Sequence, residues 1–307
     1  MPSSEQAVVL VPTFNPGKAW DRFLSQLLAQ QPAPLHVVVL DSESTDASLQ
    51  ASTQAGVQIH PVPKSSFSHG GTRQMGIDLF CGPAQFVIFL TQDAVLADRD
   101  ALKQLLSGFS DLTVAAIYGR QRPHPDASDI AAHARYFNYP EQSQTLNWSD
   151  KERLGIKTCF LSNSFAAYRL SALRGVGGFS PHVILGEDTH LAARLLMAGH
   201  AIRYEAQAIV YHSHNYSLAS EFARYFDTGV FHHDESWMTQ QFGSAGKEGF
   251  KFLKSEFLYL KCKAPWRLPE AMLRNFLKAL AYRLGRAHTH LPVFLKKRLS
   301  MHKGFWA

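Results

Sequence analysis

A chain of 307 residues that is 46% hydrophobic can bury a substantial core, as one large domain or a domain with an appendage. Its net charge of +6 comes with only three cysteines, Cys81, Cys159 and Cys262. Scattered and odd in number, they argue against a disulfide framework or a cysteine metal cluster and fit a reducing cytoplasm.

Ala7–Val11 is a valine-rich apolar run ending at Pro12, the pattern of a buried strand. From Pro16 to Gln30, Trp20, Phe23, Leu24, Leu27 and Leu28 recur at amphipathic-helix spacing. Leu35–Leu40 reads as a second buried strand ending in Asp41, and Ser44-Thr45-Asp46 as the cap of a short helix over 47–55. Val57–His60 is expected to be a third strand, Thr72–Phe80 a helix and Phe86–Leu90 a fourth strand. Strands alternating with helices predict a parallel sheet covered on both faces, with ligands at the carboxyl ends of the strands. Pro12–Asn15, Asp41–Asp46 and Thr91–Asp93 all fall at such ends.

Residues 123–150, with Pro123, Pro125 and Pro140, read as a loop or lid. Ser162–Tyr168 is expected to be a strand, Asp188–Ala198 a helix, and Ala201–His212 a strand pair. Beyond Leu218 the chain reads as helical. From Lys247 onward, 14 Lys and Arg stand against 3 acidic residues, so the last 61 residues carry about +11. No helix-turn-helix, RRM-like or zinc-finger spacing accompanies this charge, which argues against nucleic acid. An anionic membrane surface suits it better, because the basic residues are interleaved with apolar ones. Leu268, Met272, Leu273, Phe276, Leu277, Leu280 and Leu284 form a helical stripe that either packing or a lipid interface would explain. Residues 288–307 are accordingly expected to serve membrane binding and to be dispensable for chemistry. No signal peptide precedes the first strand and no apolar run approaches about 18 residues, so neither secretion nor a membrane span is expected.

Asp93 ends a strand, Glu187-Asp188 opens a helix, and Tyr211-His212-Ser213-His214 follows; together these can hold a divalent metal and supply a general base. The adjacent His232 and His233 point about 100° apart on a helix and suit one zinc poorly.

Val11-Pro12-Thr13-Phe14-Asn15, Asp41-Ser42-Glu43-Ser44-Thr45-Asp46, Thr91-Gln92-Asp93, Gly186-Glu187-Asp188 and Tyr211-His212-Ser213-His214 occur in order. In these motifs residues 7–215 resemble the A-fold, inverting glycosyltransferases of family 2. Phe67-Ser68-His69-Gly70-Gly71-Thr72-Arg73, with Gln92 before Asp93, is similar to bacterial rhamnosyltransferases of surface-polysaccharide assembly. The resemblance implies an α/β, A-type fold with a mainly parallel Rossmann-like sheet. It implies a catalytic domain over 1–216 and a helical basic extension over 217–307.

It further implies a dTDP-L-rhamnose donor and a lipopolysaccharide or O-antigen acceptor, at the cytoplasmic face of an inner membrane. Asp41 would recognise the base, with Pro12, Thr13, Asn15, Ser44 and Gln92 lining the nucleoside and phosphates. His69, Gly70 and Arg73 would meet the phosphates, with the glycines allowing close backbone approach and Arg73 pairing bidentately. Asp93 and His212 would hold Mg²⁺ or Mn²⁺, Asp188 would act as general base, and Glu187 would orient it. One departure stands out: Thr91-Gln92-Asp93-Ala94 has one carboxylate where the family has an acidic pair or triplet. A nucleotidyltransferase or epimerase would need a glycine-rich phosphate loop near the first strand, which is missing. A non-enzymatic adaptor would leave Asp41, Asp93 and Asp188 without a purpose.

Overall fold

The computed structural model describes residues 2–243 and 246–306. Its strands are β1 (Ala7–Thr13), β2 (His36–Asp41), β3 (Gln58–Pro61), β4 (Phe86–Leu90), β5 (Val95–Leu96), β6 (Val114–Arg122), β7 (Gln144–Leu146), β8 (Phe165–Arg169) and β9 (Ala201–Tyr211). They form one sheet in the order β3-β2-β1-β4-β8-β6-β9-β5, with β7 paired to β9. The first four strands are mutually parallel; β1, β2 and β4 are apolar runs covered on both faces, and β3, with its polar sequence, lies at the sheet edge. Beyond them the sheet is mixed, because β8 runs antiparallel to both β4 and β6.

Side chains alternate across the sheet, so Val8 and Leu10 enter one core while Ala7, Val9 and Val11 enter the other. On one face lie α1 (Trp20–Leu28), through Trp20, Phe23 and Leu27, and α4 (Ala101–Ser107), through Leu102, Leu105 and Leu106. On the other lie α3 (His69–Phe80), through Ile77, and α8 (Glu187–Met197), through Leu191, Leu195 and Leu196. The short α2 (Gln50–Gln54) lies between β2 and β3. Each fully buried Val or Leu contributes roughly 1.5–3 kcal/mol, so the two cores together outweigh any single polar interaction at the sheet edge.

Two expectations are corrected. Residues 201–211 form one strand, which pairs with β6 across a register shift between Gly119 and Arg120. The shift bends the strand without ending it, which hydropathy alone does not reveal. Residues 123–150 contain α5 (Asp129–Asn138), capped by Ser128, and the strand β7. Their polar sequence hid a helix whose buried side packs on a segment more than 100 residues later: His133 Nε2 meets Ser255 Oγ at 2.9 Å.

After α6 (Lys151–Leu154) and α7 (Leu170–Gly175), the C-terminal part comprises α9 (Leu218–Asp234), α10 (Ser236–Phe242), α11 (Gly246–Lys263), α12 (Leu268–Arg286) and α13 (Val293–Leu299). Phe226, Val230 and Phe231 of α9 and Ala281 of α12 belong to the same buried cluster as β1, β4 and β8. Packing does not explain the apolar stripe of α12. Only Ala271, Ala281 and Gly285 of this helix are buried, while Met272, Leu273, Phe276 and Leu280 are exposed. The reason is a small-residue contact: a Cβ on Gly229 would lie 2.3 Å from the Tyr282 carbonyl oxygen, and one on Gly285 2.0 Å from that of Phe226. Backbones this close leave no space for leucines between them. Among the described residues, no helix is long and apolar enough to cross a membrane.

Candidate active site

The register Thr13↔Asp41 brings the carboxyl ends of β1 and β2 side by side, and β4 lies on the other side of β1. The loops that follow are laced together. Asp41, buried at the end of β2, accepts from Ser44 twice, from its N–H at 3.0 Å and its hydroxyl at 2.5 Å. Ser44 Oγ in turn accepts the Asn15 N–H at 2.8 Å, and Asn15 Oδ1 accepts the Thr45 N–H at 2.7 Å. Asn15 adopts φ 44°, a left-handed conformation that asparagine tolerates better than most residues. The Gln92 amide makes two bonds with the backbone of Phe14, at 2.7 and 3.1 Å, tying the β4 loop to the β1 loop. Thr13 Oγ1 is turned onto the Val11 carbonyl at 3.0 Å, and Pro12 sits opposite Leu40. Asn15, Ser44 and Gln92 therefore build the loop scaffold, and Asp41 keeps one lone pair free on each oxygen.

A second group lies where β4 meets β8. Asp188 occupies the first turn of α8, after Gly186 at φ 72°. Its Oδ2 accepts the Asn163 N–H at 3.0 Å and its Oδ1 the Thr189 N–H at 2.7 Å. Beside it, the buried Glu187 meets the Asn163 amide at 3.0 Å and the Arg73 guanidinium at 3.0 Å. The Tyr168 hydroxyl donates to Asn163 Oδ1 at 2.7 Å, which fixes that amide's orientation. Burial would push Glu187 up most strongly, but the Arg73 charge, with His69 and the Asn163 hydrogen bond added, holds it below the usual carboxylate range. Asp188 has no such cation in contact, so burial first, and the Glu187 charge second, push it up to about 6.

Arg73 and the glycines depart from expectation. Arg73 is 4% exposed, and its Nη1 is engaged by Glu187 and by the His69 carbonyl at 3.0 Å. A buried carboxylate needs a cation, and this arginine supplies it; a bidentate phosphate contact is not what the side chain is arranged for. Gly70 is required by protein packing, since a Cβ there would lie 1.9 Å from the Ser180 carbonyl oxygen. Gly71 faces Pro181 and Ser68 Oγ accepts its N–H at 3.1 Å, so the two glycines seat the 180–181 segment on α3.

The third group gathers Asp93, His212 and His214, whose ligand atoms lie within 4.8 Å of one another. His212 Nε2 is 3.4 Å from Asp93 Oδ1, and His214 Nδ1 is 3.6 Å from Asp93 Oδ2. His212 Nδ1 meets Gln121 Oε1 at 2.8 Å, and that oxygen also accepts from Arg135, which can only donate. Nδ1 therefore carries a proton, and Nε2 donates to Asp93 when the ring is protonated but offers its lone pair when the ring is neutral. Burial lowers the affinity of both imidazoles for a proton, taking His214 down to about 4. Burial would raise Asp93, but the His212 hydrogen bond and the two histidines outweigh it, so the carboxyl lies well below its usual range. Lone pairs converging on one point, with Gln121 setting the tautomer, fit a divalent cation. His214 adds a third candidate ligand where only one carboxylate is present.

Gln121 Nε2 donates to Ser162 Oγ at 3.0 Å, and Ser162 precedes Asn163, so one short segment touches both clusters. Sequence reasoning missed Gln121, Asn163 and Tyr168. Their only signal was the polar triplet Ser162-Asn163-Ser164 before an apolar strand.

Two more features concern the C-terminal part. Asp227 of α9 is fully buried, and its Oδ2 accepts the Met301 and His302 N–H groups at 2.8 and 3.2 Å. His302 packs edge-on against His69, with centroids 4.9 Å apart, so residues 300–302 form part of the wall of this site. The end of the chain thus contacts α3 near the Arg73–Glu187 pair, which bears on the expectation that the last twenty residues are dispensable for chemistry. Separately, His233 and Asp234 meet His288, while His232 turns to Tyr282.

The family described as Glycosyl transferase family 2 matches residues 8–177. The O-antigen chain rhamnosyltransferase RfbN of Salmonella typhimurium is 45% identical over 299 residues, spanning 97% of this chain and 95% of its own. The O-antigen chain rhamnosyltransferase WbaN of Salmonella anatum is 44% identical with the same coverage. Among solved structures, the mannosyltransferase PcManGT from Pyrobaculum calidifontis, in complex with GDP-Man and Mn²⁺, superposes with a TM-score of 0.56 at 21% identity, covering 95% of this chain and 78% of its own. TarS 1-349 of S. aureus gives 0.58 at 16% identity, covering 96% and 83%. These two likenesses carry the fold, the A-type glycosyltransferase arrangement. With a family model matching more than half of its length and two relatives above 40% identity spanning nearly all of it, the chain belongs to glycosyl transferase family 2.

Proposed function

We propose that this enzyme transfers L-rhamnose from dTDP-L-rhamnose to a hydroxyl of a lipopolysaccharide or O-antigen glycan, with inversion. The observation that carries the reading is the 45% identity to RfbN, named as an O-antigen chain rhamnosyltransferase, across nearly the whole of both chains. In this reading residues 1–216 bind donor and acceptor, and 217–307 are a helical extension that holds the enzyme peripherally on the cytoplasmic face of the inner membrane.

Asp188 is the general base. A carboxyl near 6 is ionised at neutral pH yet more basic than an ordinary aspartate, which suits removal of a proton from an acceptor hydroxyl. Asn163 and Thr189 hold both its oxygens in place, and Glu187 with Arg73 sets its basicity. The acceptor oxygen attacks C1 as the C1–O bond to the diphosphate breaks, so a β-linked donor gives an α-L-rhamnoside. Asp41 receives the N3–H of the thymine, on the loops stitched by Asn15, Ser44 and Gln92. Asp93 and His212, joined by His214, would hold Mg²⁺ or Mn²⁺, which when bound offsets charge on the leaving diphosphate. Two imidazoles favour Mn²⁺ over Mg²⁺.

The test is calorimetric titration with dTDP-L-rhamnose against other dTDP- and UDP-sugars, followed by dTDP release with and without a lipopolysaccharide acceptor. Tightest binding of dTDP-L-rhamnose with acceptor-dependent release is the expected result. Equal or tighter binding of a UDP-sugar overturns the donor assignment.

A further inference from the structure

Among the described residues 21 large hydrophobic ones are exposed, and 12 of these fall between Phe250 and Phe305, in less than a fifth of the chain. In α11 the buried and half-buried residues Phe252, Ser255, Glu256, Tyr259 and Leu260 mark the inward side, so Phe250 and Phe257 face outward and Leu253 lies on the flank. In α12 the buried side runs through Ala271, Ala281 and Gly285, leaving Met272, Phe276 and Leu280 diametrically outward. Trp266, 72% exposed, stands in the turn between the two helices, and Phe294 of α13 is equally exposed.

Charge decides what such a surface meets. The three acidic residues of this part are already engaged: Glu248 by Lys157 and Lys251, Glu256 by Asn275, and Glu270 by Arg267 and Arg274. Lys254, Lys261, Lys263, Arg283, Lys297 and Arg298 have no acidic partner among the described residues. Lys254 and Lys261 lie on the same outward side of α11 as Phe257, and Arg283 on that of Met272 and Phe276. Two copies of a surface whose cations lack acidic partners would repel each other, which argues against a self-association face. Aromatic and aliphatic side chains flanked by unpaired cations match the acyl boundary and headgroups of an anionic bilayer.

We infer that the outward faces of α11 and α12, with Trp266 and Phe294, form a docking surface for an anionic lipid leaflet. This deepens the proposed membrane-associated reading and rests on it for its purpose. The helices lie in the interface with their aromatic side chains inserted and their lysines over the phosphates. Arg274 of α12 donates to the Tyr216 carbonyl at 3.0 Å, two residues beyond His214, so docking this face holds the active site beside the leaflet.

The test uses the full-length protein with phosphatidylcholine vesicles, with or without about one-third phosphatidylglycerol, sedimented at low salt and at about 0.5 M. Expected are binding to the anionic vesicles alone and release at high salt. Two variants change only exposed side chains: F257E/F276E and K254E/K261E. Each should weaken binding by at least tenfold, since each Lys near such a surface is worth roughly fivefold. Turnover of dTDP-L-rhamnose on a soluble acceptor should stay unchanged. Failure of wild type to bind anionic vesicles at low salt, or equal binding by wild type and both variants, overturns the docking surface. So does a variant that alters oligomeric state while vesicle binding is unaffected. Transfer to the soluble acceptor is read independently, so loss of the catalytic reading is distinguishable from loss of this one.

Discussion

Replacing Asp188 by asparagine should separate catalysis from stability in opposite directions. The amide cannot accept the acceptor proton, and a general base typically contributes about 10²–10⁴-fold, so turnover should fall by that factor while dTDP binding stays nearly intact. The stability effect follows from the position of the carboxyl, near 6 in the fold against an ordinary 3.8. A folded-state value raised above the unfolded one means that the neutral form is favoured on folding. Its contribution is fully present below about 3.8 and is lost as pH rises through about 6. At pH 8 the ionised side chain costs the fold up to about 3 kcal/mol, from 1.36 kcal/mol per pH unit over that interval. Asparagine carries no such cost, although its NH2 must face the Asn163 or Thr189 N–H at every pH, so the melting temperature of D188N relative to wild type should rise by several degrees from pH 4 to pH 8. Thermal melts at several pH values, dTDP calorimetry and dTDP release measure the three quantities. More than a third of wild-type turnover would remove Asp188 from the mechanism. A melting difference that does not change with pH would refute the argument that Glu187 and burial raise this carboxyl.

Arg73→Met should destabilise the protein by about 3–5 kcal/mol by leaving Glu187 buried without a cation, and adding E187Q should restore much of that, as thermal melts of the single and double variants would reveal. If R73M instead weakens dTDP binding without altering the melt, the arginine meets phosphate after all. Asp93→Ala and His214→Ala should each reduce Mn²⁺ activation and dTDP affinity together, and Gln121→Ala should cost about 10–100-fold in metal affinity by releasing the His212 tautomer. Full turnover in excess chelator would sink that prediction. Deleting residues 300–307 should lower transfer to a soluble acceptor and the melting temperature, because Asp227 loses both backbone donors and His69 its packing partner. Unchanged kinetics would return this segment to a purely peripheral role.

The sequence by itself determined the elements that carry the loops after β1, β2 and β4. Ala7–Val11, Leu35–Leu40 and Phe86–Leu90 are continuous apolar runs because their strands are covered on both sides, and the polar residues that end each run lie at one sheet edge. Helix α8 was legible for a similar local reason: an acidic first turn after glycine, followed by leucines at helical spacing. Only the tertiary structure decided which partner each polar side chain takes. Arg73 and Glu187 are 114 residues apart, and nothing local says that a buried carboxylate claims that arginine before any phosphate does. Asn163, Gln121 and Tyr168 have no motif, since their role comes from where β6 and β8 place them beside α8 and β9. The outward stripe of α12 was equally undecidable from periodicity. A helical row of leucines and aromatics has the same spacing whether it faces a core or a solvent-exposed surface. Here two glycines on facing helices, Gly229 and Gly285, bring the backbones together and turn the row outward.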